Sequence, residues 1–274
     1  MRRALRSSVL STAILIPFAL LTVLPIAGVV LLSLQSGDAP LAGFEWPDRL
    51  HVENYARAFE TAHFSSYLTA SFIVSIAVVA GTLFVSVLAG YAFGTMRFRG
   101  ERALFYLLMI GLIVPFEAII VPLHAEMRTV HLTNNFLSVI LPLIGTNAAF
   151  GTFWMRAYFR DVPQQIIEAA ALDGAGSMRI LWQVLLPGAR PALLTLVILV
   201  FLWTWNEFLL PLVMLSRESL RTAPLGLAFF AGRYQSDRVG MAAAAVMIAL
   251  PVVVLFVATQ RRFVQGLWSG ALKE

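Results

Sequence analysis

Six stretches of this chain carry no charge, or a single acid, for long enough to cross a bilayer: residues 7–37, 64–96, 103–123, 132–155, 191–216 and 239–260. A hydrocarbon core needs roughly 20 helical residues and offers no water to an unpaired backbone amide, so each stretch is expected to be a helix. The alternating pattern of a membrane barrel is absent. At 59% hydrophobic and 13% charged, with a mean hydropathy of +0.81, the 274 residues hold more apolar surface than a soluble domain of that size could hide. The expected fold is therefore an all-α membrane protein of six transmembrane helices, forming one integral domain over residues 1–274. Pro17, Pro25, Pro115, Pro142 and Pro211 fall inside these helices and predict kinks.

Basic residues give the stretches a direction. With the amino terminus in the cytoplasm, the inner segments hold Arg2, Arg3, Arg6, Arg97, Arg99, Arg102, Arg156, Arg160, Arg179, Arg190, Arg261, Arg262 and Lys273. The first outer segment, 37–63, is acid-rich, with only Arg49 and Arg57 against it. Arg217, Arg221, Arg233 and Arg238 in the last outer loop run the other way without reversing the balance. Both termini are expected to be cytoplasmic. Arginines ahead of the first apolar run resemble a secretory leader, but that run is about twice the length of a usual leader core, so it is expected to stay as the first helix. The net charge of +5 sits at helix ends rather than in one stripe, which argues against nucleic acid. There is no cysteine, hence no thiol nucleophile or cysteine-based metal site.

Between the fourth and fifth stretches lies a polar insert, about 156–190. Asp161 is expected to cap a short helix with Pro163 in its early turn, followed by helix formers from Gln164 to Leu172. The run Asp173-Gly174-Ala175-Gly176 should stop that helix, Ser177 should cap a second one through Leu186, and Pro187 and Pro191 should break the chain before the fifth span. The product is a helix, turn, helix on the inner face. Its small residues let another protein approach the backbone, and Glu168 and Asp173 supply acceptors.

The same insert reads Glu168-Ala169-Ala170, then Gly174, Val184 and Leu186-Pro187. That spacing resembles the EAA signature of ABC importer permeases, with Val184 where the pattern has Ile. Residues 47–55, ending in Glu53-Asn54-Tyr55, then Arg97-Phe98-Arg99-Gly100, Trp205-Asn206-Glu207-Phe208 and the closing run 260–273, are similar to the maltose-type, carbohydrate-uptake branch of that family. Ala70-Ser71 departs from it, since relatives usually carry Asn-Ser there. The resemblance covers nearly the whole chain. It implies a multi-pass permease subunit in the cell membrane of a prokaryote, forming half of a carbohydrate pathway. Its partners would be a second homologous permease subunit, two ATPase subunits or domains, and an external solute-binding protein. Glu168, Ala169, Ala170, Asp173 and Gly174 would then contact the ATPase, on a coupling helix between the fourth and fifth spans.

Two acids lie inside the spans, Glu117 and Glu207. An ionisable group there costs roughly 2.5 to 3.5 kcal/mol on insertion scales and normally faces a cavity or a partner. Counted along straight helices at 1.5 Å per residue, both fall roughly 21 to 24 Å from the cytoplasmic side, in the outer half. Asn206 and Glu207 with Trp205 and Trp203 combine hydroxyl-binding groups with flat apolar faces, the mixture a sugar calls for, and Glu117 and Asn147 are further polar candidates for the solute path. Interhelical bracing is the competing reading of each.

His124, Glu126 and His131 surround an external turn with no metal-ligand spacing. No phosphate loop occurs, and the one lysine is Lys273 in the tail, so ATP and its magnesium are expected on the partner ATPase and the chain is expected to be non-catalytic, without cofactor or metal of its own. An ion-coupled secondary carrier, using Glu117 or Glu207, would call for inverted repeats, and none is visible. A membrane docking protein without transport is the remaining alternative.

Overall fold

The computed structural model describes residues 2–37, 46–61, 64–230 and 237–271, with the side chains between Thr12 and Gln260 described within those ranges apart from Ile14, Thr61, Phe229 and Phe230. Within them the chain is helical and no strand occurs. The elements are α1 (Arg2–Ser33), α2 (Glu53–Thr61), α3 (Phe64–Thr95), α4 (Glu101–Ile113), α5 (Phe116–Thr129), α6 (Leu137–Arg160) and α7 (Gln164–Leu172). After these come α8 (Ser177–Arg179), a π-helical segment (Ile180–Leu185), α9 (Leu186–Gly188), α10 (Arg190–Trp205) and α11 (Leu209–Met214). A 3-10 turn (Glu218–Leu220), α12 (Ala223–Phe230) and α13 (Arg238–Ala271) complete the order. The side chains of Arg2, Arg3, Arg6, Arg233, Arg261, Arg262 and Lys273, and with them most of the closing run 260–273, lie outside the described residues.

Among the described residues four helices are long and apolar enough to cross a bilayer: Leu15–Ser33, Phe64–Thr95, Leu137–Arg160 and Arg238–Gln260. The third and fifth apolar stretches depart from the expected straight spans. Stretch 103–123 is split into α4 and α5, which meet at 97°. Proline explains the break: Pro115 has no amide to give and forces Val114 out of the helical region, to φ −71° and ψ 120°. Stretch 191–216 is α10 and α11, and α10 is bent by 81° from the helical segment Ser177–Gly188 before it. The other predicted kinks differ in outcome, because Pro17, Pro25 and Pro142 sit within continuous helices and Pro211 is buried in α11.

The chain divides into two compact units. In the unit made of residues 1–65 and 226–251, the end of α1 is closed by α2. Buried Asn54 donates through Nδ2 to the carbonyls of Ser33 (3.0 Å) and Gln35 (2.9 Å), and the Ser33 and Tyr55 hydroxyls pair at 2.6 Å. These carbonyls are among those a helix end leaves without partners, which gives the Glu53-Asn54-Tyr55 run a physical task. On α1, none of residues 15–32 is buried, and Leu21 and Phe18 stand at 73% and 65% exposure, a surface suited to lipid.

The second unit, residues 66–225 and 252–274, holds the main core, with Val78, Val139, Met155, Phe159, Leu181, Leu196 and Leu210 almost fully covered. A close seam runs between α3 and α6. Thr82, Ser86, Gly90 and Gly94 recur every fourth residue on α3, the small-residue spacing that lets membrane helices approach closely. A β-carbon on Gly90 would lie 2.6 Å from Met155 Cβ and 3.0 Å from the Arg156 amide nitrogen. One on Gly94 would lie 2.8 Å from Phe159 Cβ. A second tie spans 82 residues: Asn134, at φ +56°, accepts the amides of Ser216 (2.7 Å) and Arg217 (2.9 Å) on its Oδ1 while its own amide donates to Met214 O.

Two substitutions test this packing in the assembled protein. Gly90→Leu should lower thermal stability by about 1–3 kcal/mol or more through overpacking, whereas Gly111→Ala, where a β-carbon meets nothing within 4 Å, should leave it unchanged or slightly raised. Asn134→Ala removes two exposed hydrogen bonds and strains the left-handed backbone, at about 0.5–1.5 kcal/mol; unchanged melting would show that this tie carries no stability.

Candidate functional site

The insert after α6 folds as helix, turn, helix. Its helix starts differ from the sequence expectation. Asp161 stands at the C-terminal cap of α6, and Pro163, which has no side-chain acceptor, stands at the cap position of α7. Proline supplies the entry by fixing its own φ and withholding an amide the first turn could not use. Likewise Gly176, not Ser177, precedes α8, because the Ser177 hydroxyl is held by Tyr91 on α3, at 3.1 Å between the two oxygens.

The end of α7 matches expectation. Gly174 adopts φ +79°, its amide donates to Ala171 O, and the Ala175 amide donates to Ala170 O, both at 3.0 Å. That pair of bonds is the Schellman closure, which favours glycine at the left-handed position. Ala170 and Ala175 pack inward on the core with Ile167. Everything else in the elbow faces out: Glu168, Ala169, Asp173 and Gly174 are exposed, and no residue of α7 is buried. Beside them Leu172, Met178 and Trp182 stand 90%, 58% and 51% exposed. Large apolar side chains grouped around a glycine turn form a surface that another protein can cover.

Behind the elbow the chain is firmly seated. Ile180, Leu181 and Leu185 of the π-helical segment are buried, and Ala189 at the 81° bend is 0% exposed. Trp154 Nε1 donates to Ala192 O at 3.0 Å, and the Tyr91 hydroxyl also donates to Ser177 O at 3.2 Å. Displacement of α7 is thus tied to α3, α6 and α10 of the same unit.

The polar candidates for the solute path are either bonded close by in the sequence or exposed. Asn206 is exposed at the end of α10 and bonds Leu202 O (2.8 Å), while half-buried Glu207 accepts the Leu210 amide (3.0 Å) and so caps α11. Glu117 is exposed in the first turn of α5. Both acids therefore follow a helix break and stand at a helix start, where orphan amides and the helix dipole favour negative charge. The 97° bend also means that counting residues along a straight third helix does not give the depth of Glu117. Asn147 is buried and bonds Leu143 O of its own helix (2.8 Å). Trp205 is 1% exposed, set edge-on to Phe72 (centroids 4.8 Å) and stacked on Phe201 (5.3 Å), while Trp203 is 45% exposed. At the position where the sequence has Ala70-Ser71, Ser71 Oγ accepts the Ala223 amide at 2.8 Å, closing the start of α12.

The family model for the binding-protein-dependent transport system inner membrane component matches residues 86–269. The chain is 30% identical over 271 residues to the diacetylchitobiose uptake system permease protein NgcG of Streptomyces coelicolor, covering 98% of this chain and 90% of that protein. It is 31% identical over 274 residues to the trehalose transport system permease protein SugB of Mycobacterium tuberculosis, covering 99% and 98%. Its fold is similar to that of a chain from a bacterial ABC transporter involved in the import of the acidic polysaccharide alginate, with a TM-score of 0.83 at 24% identity over 96% of this chain and 98% of that one. A family match across most of the chain, through the breaks and the elbow, and relatives aligned nearly end to end make this chain a member of the inner membrane components of binding-protein-dependent transport systems, the permease subunits of ABC importers.

Proposed function

We propose that this chain is the permease subunit of an ATP-driven importer for a carbohydrate or sugar-like solute, that it acts as one integral domain with six spans and both termini cytoplasmic, and that it forms half of the pathway beside a second homologous permease subunit. Two ATPase subunits supply the energy and an external solute-binding protein delivers the solute. The chain itself is the non-catalytic part. The sugar class is carried by relatives named for diacetylchitobiose and trehalose. One observation carries the coupling role: a short helix with no buried residue, ended by a left-handed glycine and followed by a buried helical segment that leads straight into a span.

In this reading Glu168, Ala169, Ala170, Asp173 and Gly174 form the contact with the ATPase. Exposed Ala169 and Gly174 allow close approach while half-buried Ala170 seats the helix on the core, the two acids accept from the partner's basic or amide groups, and Leu172, Met178 and Trp182 supply apolar area. ATP turnover switches the permease only through unequal affinity of this elbow for the two ATPase states. Asn206 and Glu207, at the break between α10 and α11, line the solute path with Glu117 and Asn147 as further polar groups, and Trp205 forms the wall that holds the break in place.

The coupling role is tested by co-purifying the chain with its partner subunits. Ala169→Trp changes an exposed side chain and should cost the ATPase about 2 kcal/mol of affinity, roughly thirtyfold, as for an interface hot spot; Gly174→Trp should release it altogether. An ATPase held as tightly by both variants would refute the contact. For the pathway, Glu207→Ala should cut solute-stimulated ATP hydrolysis by about tenfold, the scale of one lost hydrogen bond to a charged group, in a complex that stays assembled. Glu207→Gln keeps an acceptor for the Leu210 amide and should retain most of the stimulation. Full stimulation in the alanine variant would remove Glu207 from the path.

A further inference from the structure

Two cavities lie along the seam of α4 and α6, and their chemistries are opposite. The first, about 560 Å³, is apolar and is lined by Leu104, Leu107 and Gly111 of α4, Ile119 of α5, and Gly145 and Ala149 of α6. The second, about 1010 Å³, lies at the α7 end of the seam and holds Arg97, Arg102, Arg156 and Arg160, with Glu101 and Glu168 in its wall. On α6 the two share one stripe. Gly145, Ala149, Arg156 and Arg160 fall within about 60° of one another at 100° per residue, and Ala149 to Arg156 is about 10 Å of helix.

The basic cavity holds four arginines against two acids. Among the described residues the one ion pair within 4.0 Å joins His51 and Glu53, so none of the four guanidinium groups is matched to a carboxylate. Arg156 is fixed in place: its Nε donates to Phe93 O at 3.1 Å and its guanidinium carbon lies 3.8 Å from the centre of the Phe105 ring. Its remaining N–H groups are left for an anion. Arg97 follows the end of α3, and the turn to α4 depends on Gly100 at φ +85°, so the backbone that presents Arg97 and Arg102 is also fixed.

We propose that this seam is a binding site for one anionic phospholipid, with its phosphate among Arg97, Arg102, Arg156 and Arg160 and an acyl chain in the apolar groove past Gly111 and Gly145. Guanidinium groups recognise phosphate through several N–H donors at once. An apolar groove along the same two helices distinguishes a lipid from a free phosphate or an acidic protein surface, neither of which would fill it. The site requires only that α4 and α6 lie in a membrane, so it stands or falls separately from the ATPase contact.

The test uses the complex with its partner chains, reconstituted in nanodiscs of equal phosphatidylglycerol and phosphatidylcholine, washed in mild detergent, and analysed for retained lipid by mass spectrometry. Phosphatidylglycerol should be retained in preference. The double variant R102Q/R160Q should lower its retention by about fivefold for each charge removed, while Arg102→Lys keeps most of it. Gly145→Phe places a ring in the groove from a position where a β-carbon meets nothing within 4 Å; it should lower retention of long-chain phosphatidylglycerol and spare a short-chain one. Equal retention of the two lipids by the unaltered complex overturns the proposal. So does displacement of the lipid by inorganic phosphate together with indifference to Gly145→Phe, which identifies a free-anion site. Unchanged retention in R102Q/R160Q with loss of the ATPase would assign the arginines to a protein contact instead.

Discussion

A bilayer gives no water to a backbone group, so every helix that stops inside or at the edge of one has to find partners for the amides and carbonyls it leaves open. This chain stops its helices repeatedly, and polar side chains close most of the gaps. Asn54 donates to the open carbonyls after α1, Ser71 accepts the first amide of α12, Glu207 accepts an amide of α11, and Asn134 accepts two amides after α11. The breaks themselves have local causes, proline at Val114–Pro115 and a tight turn at Asn206–Phe208. Because each closure uses a side chain from elsewhere in its own unit, the breaks are fixed features of the packing and not weak points in a straight helix.

The close α3–α6 seam has a mechanical consequence. Helices whose backbones touch through Gly90 and Gly94 cannot slide or tilt past one another without opening a gap or a clash, since interiors packed this tightly are not continuously deformable. α6 leads into α7, and Tyr91 of α3 grips Ser177 just beyond α7. On the proposed reading, a pull on the elbow therefore moves α3 and α6 as one piece, and the 81° bend at buried Ala189 turns that motion into the direction of α10.

Composition alone made the helical class and the places of the apolar stretches legible, because hydrocarbon permits little else. Gly174 was legible for the same kind of reason: the position needs a left-handed backbone, and glycine marks it. Pro115 signalled a kink, though not its size, which depends on how α4 and α5 find separate partners. Asp161 and Ser177 were misread as caps. Both residue types favour helix starts, but Asp161 falls at the end of α6, and Tyr91 takes the Ser177 hydroxyl from 86 residues away. The tie from Asn134 to Ser216 and Arg217 left no local signal, since an isolated asparagine in a polar turn looks like any other. Trp205 illustrates the same limit: its residue type suits a sugar face, and only its neighbours Phe72 and Phe201 show that the ring is covered.

The two acids within the spans tie the closures to the proposed pathway. Each stands immediately after a break, at the start of a helix whose free amides favour negative charge, so the cost of a carboxylate within the membrane is partly met by the break itself. A continuous helix could not host them so cheaply. Conversely, a broken helix exposes backbone that is tolerated at membrane depth only where it lines a wet cavity or is buried in protein. Glu117 is exposed and Glu207 half-buried. On the proposed reading, both face the wet side, and the breaks, the acids and a hydrated path are one arrangement in which α4–α5 and α10–α11 form this chain's part of the solute route.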